Sequence, residues 1–143
     1  MISTTLLTGR IPAAVSRRCK QAGAALALDL TQSAGALPFD VKAVDPDFAV
    51  AACYKWLMGP RGLTFAYLAP ELRERLTPSA AGWVAGEDVH DSYYGPPLRL
   101  ARDARRFDLS PAWFSCVGVV PSLELIERIG VAEIGAHNVA LAN

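Results

Sequence analysis

A chain of 143 residues, 52% apolar and 20% charged, has the make-up of one globular domain and not of a disordered segment. Its 14 basic and 14 acidic side chains balance without a basic block, which argues against nucleic acid as a partner. No apolar run approaches the roughly 18 residues of a membrane span and no signal-peptide pattern opens the sequence, so no membrane partner is expected.

In chain order, residues 2–7 (ISTTLL) are β-branched and apolar and predict a strand. Thr8-Gly9-Arg10 reads as a turn, and Pro12 suits the first turn of a helix over 13–22 that Gly23 ends. Residues 24–28 form a second apolar run that stops at Asp29. Strand, helix and strand at this distance predict a βαβ unit, with the strands continuous in apolar character because both sheet faces are covered. A short crossing segment, 38–44, leads to a third strand, 48–53, which ends in Tyr54-Lys55-Trp56. The turn Gly59-Pro60-Arg61-Gly62 is so short that the fourth strand, 63–68, should return antiparallel. Residues 70–76 open with proline and predict a surface helix.

Residues 77–111 hold four of the ten prolines and little periodicity, the pattern of a long functional or interfacial loop. Residues 112–129 predict a helix with an apolar face and with Glu124, Glu127 and Arg128 on the exposed face. Pro121 should kink or split that helix. Gly130 ends it and a last helix follows. The three cysteines, Cys19, Cys53 and Cys116, are far apart and not in CxxC spacing. That spacing speaks against a disulfide framework or a zinc site and for a reducing, cytoplasmic location, and Cys53 and Cys116 read as buried small hydrophobes. His90 and His137 are isolated and are expected at the surface.

The chemistry concentrates at two strand ends. In open α/β sheets, ligands sit just outside the carboxyl ends of the strands. Asp29 and Lys55 stand there, 26 residues apart. Each alone is unremarkable, since lysine is normally solvated and aspartate often caps a turn. Together, an amine and a carboxylate suit pyridoxal phosphate, which needs a covalent lysine and an anionic partner for its pyridine nitrogen. A carboxylate beside that nitrogen favours its protonated form and makes the ring a better electron sink.

The segments Asp29-Leu30-Thr31-Gln32-Ser33-Ala34-Gly35, Pro38-Phe39-Asp40-Val41 and Lys55-Trp56-Leu57-Met58-Gly59-Pro60-Arg61-Gly62 follow one another in an order that resembles the class V aminotransferase family. That pyridoxal-phosphate family also holds cysteine desulfurases and kynureninases. The resemblance implies an α/β fold, a three-layer sandwich with a mostly parallel sheet, forming part of the large domain of the aspartate-aminotransferase-like fold. It implies that Lys55 holds the cofactor as a Schiff base, Asp29 pairs with the pyridine nitrogen and Gln32 donates to the phenolic oxygen. Tyr54, before the lysine, would contact the phosphate. Ser110 falls where the family carries a hydroxyl that reaches the phosphate bound by the partner subunit of a homodimer, although Leu109 replaces the glycine usual before it. Trp83, after Gly82, resembles a tryptophan that kynureninase-like members place near the neighbouring subunit's cofactor; its other reading is an aromatic plug beneath a long loop.

The resemblance further implies that residues 1–143 are a partial large domain. The family's N-terminal part, its C-terminal small domain and the arginine that holds the substrate carboxylate are expected elsewhere, so the 143-residue chain alone is expected to be inactive. The desulfurases' nucleophilic cysteine has no match in Cys53 or Cys116. The implied activity is that of a transaminase or a C–S or C–C lyase acting on an amino acid, with Tyr54 and Gly82-Trp83 leaning toward the lyase side. The alternative is a non-catalytic remnant or binding module that keeps the fold.

Overall fold

A computed structural model describes residues 2–3, 10–94 and 96–142, with side chains described from Pro12 onward. Strand β1 (Ile2–Ser3) is followed by helix α1 (Arg10–Gln21), β2 (Ala27–Asp29), the single-turn helix α2 (Val41–Val44) and β3 (Phe48–Ala52). Then come β4 (Thr64–Leu68), α3 (Pro70–Arg75), α4 (Trp113–Ile129) and α5 (Val131–Ala142). Residues 4–7 of the expected first strand lie outside the described residues.

The four strands run in the order β1-β2-β3-β4. The first three are parallel and β4 returns antiparallel, as the short Gly59–Gly62 turn requires. Helix α1 stops where Gly23 takes a φ of +65°. There the Gly23 N–H bonds the Lys20 carbonyl at 3.1 Å and the Ala24 N–H bonds the Cys19 carbonyl at 2.9 Å, a Schellman termination that only a residue tolerant of positive φ allows cheaply. Asp40 caps α2 by accepting from the Lys42 N–H at 2.8 Å. Asp47 does the same work between strands, its carboxylate accepting the Leu26 N–H at 2.7 Å and so joining the start of β2 to the start of β3.

Leu26, Leu28 and Leu30 alternate along β2 and meet Ala49 and Ala51 of β3 in the main core, which Val44 of α2 completes. Val15 and Cys19 of α1 pack against the same cluster. One face of the sheet is therefore closed by α1 and α2. The opposite face, carrying Ala27, Asp29, Phe48, Val50 and Ala52, is half-buried. Among the described residues the expected cover on both faces is thus complete on one face only, and the unbroken apolar runs conceal a period-two alternation because alanine fills positions on both sides.

Residues 77–111 form a long irregular segment, as expected, and it is held together by local contacts. Short 3-10 turns at Trp83–Ala85 and Ala104–Phe107 pack together, with an antiparallel bridge between Gly86 and Leu100. Arg105 clamps them, donating from Nη1 to the carbonyls of Val84 (3.0 Å) and Gly86 (2.7 Å) and from Nη2 to Glu87 (3.3 Å). Helix α4 is not split, but runs continuously through Pro121. The proline costs the bond to the Val117 carbonyl, but that turn faces solvent, where water can take up the freed group.

Glu124, Glu127 and Arg128 face outward as expected. The bulky apolar residues at the start of α4 also face outward, with Phe114 93% and Trp113 68% exposed, while Ser115, Val119 and Ile126 face inward. Cys53 is fully buried, but Cys116 is exposed beside these apolar residues, contrary to its reading as a buried hydrophobe. No described helix is long and apolar enough to cross a membrane.

Candidate active site

Asp29 is the last residue of β2 and half-buried. Its Oδ1 accepts the Thr31 N–H at 2.9 Å, which turns the chain outward at the strand end. Pairing with β3 continues past the strand: the Leu30 N–H bonds the Val50 carbonyl at 2.7 Å, and the Thr31 hydroxyl accepts the Ala52 N–H at 3.0 Å. The turn that follows carries Gln32 at the surface. Gly35 closes that turn with a φ of +89°, and a Cβ there would lie 2.7 Å from the carbonyl oxygen of Trp56. The Asp29–Gln32 turn and the Lys55 turn are therefore in backbone contact.

The Lys55 turn is built with equal economy. Cys53 anchors it from the interior, its N–H bonding the Leu63 carbonyl (3.0 Å) and its carbonyl accepting the Gly59 N–H (2.8 Å). Burial pushes the Cys53 thiol up, so it stays a neutral packing group and not a nucleophile. Between these bonds the chain projects Tyr54 and Lys55 into solvent. The Tyr54 ring has two cationic neighbours, Lys55 Nζ at 5.3 Å and the Arg61 guanidinium carbon at 5.2 Å from its centroid. Helix α4 supports the turn from below. Ser122 donates to the Met58 carbonyl at 2.9 Å, Ser115 donates to the Arg61 carbonyl, and Gly118 and Gly59 allow Pro60 and Val119 to close in.

Trp83 and Ser110 form a second group. The Gly82 N–H bonds the Asp108 carbonyl at 3.1 Å, and a Cβ on Gly82 would stand 3.2 Å from the Ser110 nitrogen. Ser110 is exposed. Trp83 is half-buried and meets Tyr93 edge-on with ring centroids 4.9 Å apart. His90 and His137 are exposed, as expected. Sequence reasoning missed Thr31, Arg61, Ser115 and Ser122. Of these, Arg61 lies in the Gly59–Gly62 turn and Thr31 in the Asp29–Gln32 segment, but the sequence assigns neither a role.

The contact at Gly35 makes a direct prediction. Gly35→Ala combines a backbone conformation costing about 1–2 kcal/mol for an L-residue with a backbone clash of a further 1–3 kcal/mol. Chemical denaturation should show a loss of roughly 2–5 kcal/mol, and a loss below about 0.5 kcal/mol would mean the two turns are not pressed together.

The model of the family "aminotransferase class-V" matches residues 8–143. The chain belongs to the class V aminotransferase family. It is 35% identical over 125 residues to the "uncharacterized aminotransferase YcbU" of Bacillus subtilis, covering 87% of this chain and 32% of that protein. It is 32% identical over 131 residues to a kynureninase of Stenotrophomonas maltophilia, covering 90% of this chain and 31% of the relative. Among solved structures, the apo cysteine desulfurase of Thermococcus onnurineus aligns with a TM-score of 0.71 at 28% identity, over 85% of this chain and 30% of the other. A C-DES mutant with glycine covalently linked to its PLP cofactor aligns with a TM-score of 0.74 at 25% identity, over 90% of this chain and 34% of that one. The chain spans about a third of the length of the curated relatives it matches. Family and neighbour together indicate pyridoxal phosphate as the cofactor.

The residues present fit that group. An exposed primary amine and a half-buried carboxylate lie at the carboxyl ends of adjacent parallel strands, with an exposed amide between them in sequence. This is the donor set that a carbonyl, a pyridine nitrogen and a phenolic oxygen call for.

Proposed function

We propose that this chain carries the lysine side of a pyridoxal-phosphate site in an enzyme that acts on an amino acid, as a transaminase or a C–S or C–C lyase. The observation that carries the reading is the pairing of β2 with β3. It sets Asp29 and Lys55 at neighbouring parallel strand ends, and their turns are braced by the Thr31–Ala52 hydrogen bond and the Gly35–Trp56 contact. When bound, the cofactor supplies a carbonyl for amine condensation and an electron sink for the bond that breaks.

The side chains would divide the work as follows. Lys55 binds the cofactor covalently and afterwards moves a proton at the substrate carbon. Asp29 holds a proton at the pyridine nitrogen by charge. Gln32 donates to the phenolic oxygen. Tyr54 reaches the phosphate and orients it. Ser110 and Trp83 act across the interface of a homodimer, and the outward apolar start of α4 at Trp113, Phe114 and Val117 is consistent with a covered surface. Residues 1–143 make up part of the large domain, the substrate-carboxylate arginine lies outside them, and the enzyme works in the cytoplasm.

The kynureninase relative, together with Tyr54 and Gly82-Trp83, favours the lyase side of this class. The test is to load the protein carrying this sequence with cofactor and offer cysteine, cystine, kynurenine and a keto acid with an amino donor. Release of alanine or pyruvate from one of the first three is expected. A protein that takes up no cofactor at all would defeat the proposal, and transfer to the keto acid without any cleavage would place it with the transaminases.

A further inference from the structure

Tyr54 projects from the Lys55 turn with 43% of its surface exposed, so packing alone does not choose its rotamer. What stands against the ring is charge, Lys55 Nζ at 5.3 Å and Arg61 at 5.2 Å from the centroid. At exposed sites each such contact is a modest attraction, enough to select an orientation but not to freeze it.

The two cations differ in what the chemistry does to them. An amine must lose its proton before it can attack a carbonyl, so Lys55 gives up its hold on the ring when it acts. Arg61 does not, because guanidinium stays protonated throughout the working pH range. Its anchorage is also separate from that of Lys55. The Arg61 carbonyl accepts the Ser115 hydroxyl of α4, the next residue, Gly62, adopts a φ of +96°, and Gly118 lets the helix close on Pro60. Arg61 is thus pinned to a 17-residue helix, while Lys55 projects from the turn's apex.

We propose that Arg61 is a positioning residue that holds the Tyr54 ring in place while Lys55 is discharged. This rests on the reading of Lys55 as the cofactor-binding amine. Arg61 acts on the ring, and through it on whatever the Tyr54 hydroxyl contacts. It need not touch the ligand itself.

The experiment has a cofactor-free arm and a cofactor arm. In the first, tyrosine rings are isotope-labelled and the Tyr54 signal is followed by NMR in the protein without cofactor. Lys55→Met mimics the discharged amine and should leave the Tyr54 ring shift nearly where it is. Lys55→Met with Arg61→Met should move it to the value of a freely rotating tyrosine, and Lys55→Met with Arg61→Lys should restore it. A Tyr54 signal that moves in Lys55→Met alone, or stays put in the Met–Met double variant, overturns the proposal.

In the second arm, pyridoxal phosphate itself is titrated by fluorescence quenching. Arg61→Met should raise its Kd by about two- to fivefold, the size of one exposed cation–ring contact. The change should vanish in a Tyr54→Phe background, which removes the hydroxyl that the ring positions, and likewise in Tyr54→Leu, which removes the ring as well. An equal rise in Tyr54→Leu would mean that Arg61 acts on the ligand directly, and the proposal would be wrong. If the parent protein binds no cofactor, the reading of Lys55 fails, while the NMR arm still decides whether Arg61 holds Tyr54.

Discussion

Lys55→Ala should abolish covalent retention of pyridoxal phosphate after borohydride reduction, and with it turnover. The chain has three lysines, and their surroundings already separate them. Lys20 is tied to Asp45 in an ion pair on α1, and that hydrogen bond holds its ammonium above the ordinary lysine value, so it is the poorer nucleophile. Lys42 is exposed on α2, near the start of β3 and so at the opposite end of the sheet from the parallel strands' carboxyl ends. Lys55 alone stands at those carboxyl ends. Peptide mapping after reduction should find the label on Lys55 in the parent and in Lys42→Ala, and nowhere in Lys55→Ala. Loss of the covalent amine should cost at least about a thousandfold in kcat, about 4 kcal/mol or more of transition-state stabilisation, which takes turnover to the assay background. Label on Lys20 or Lys42 in the parent would end the assignment.

What could be read from the sequence, and what could not, divides along physical lines. The third strand, the antiparallel return after Gly59-Pro60-Arg61-Gly62 and the stop of α1 at Gly23 were legible because each is decided by short-range chemistry: an apolar run, a turn too short for a crossover, a residue that tolerates positive φ. The placement of Asp29 and Lys55 at neighbouring strand ends was legible because each follows an apolar run of strand length. The family resemblance then supplied roles for Gln32, Tyr54, Trp83 and Ser110 that the residues by themselves do not specify.

The failures share one cause, namely that burial depends on what arrives from far along the chain. Helix α4 has an apolar and a charged face, yet periodicity does not say which of its apolar residues meet the fold. The inward line is Ser115, Val119 and Ile126; the Arg61 carbonyl gives Ser115 a partner and Gly59 leaves room for Val119. Trp113, Phe114 and Cys116 are left outside by the same geometry. Residues 77–111 are the irregular segment expected, but the Arg105 clamp within it, bonding three carbonyls about 20 residues away, is a contact without local pattern. Arg61 stood in a quoted motif, but nothing in one dimension puts its guanidinium over the ring of Tyr54.

Asp29→Asn should lower kcat by about a hundred- to a thousandfold while leaving the fold almost unchanged, and the structure explains why the two effects separate. The carboxylate has a local task, since Oδ1 accepts the Thr31 N–H at 2.9 Å and starts the turn toward Gln32. Asparagine keeps an oxygen in that place, so the Thr31 N–H keeps its acceptor and the charge-assisted part of that hydrogen bond is worth about 1 kcal/mol. The other task needs charge. A neutral amide does not hold a proton on a pyridine nitrogen, and losing about 3–4 kcal/mol of electron-sink stabilisation gives the stated drop at about 1.4 kcal/mol per decade. The check is a paired measurement: kcat with saturating cofactor and amino-acid substrate, and denaturation of the same preparation. Asp29→Ala supplies the contrast, because it removes the turn acceptor as well and should lose both stability and rate. If Asp29→Asn keeps near-normal kcat while Asp29→Ala is destabilised, Asp29 serves as a turn cap at the end of β2 and some other group must face the ring nitrogen.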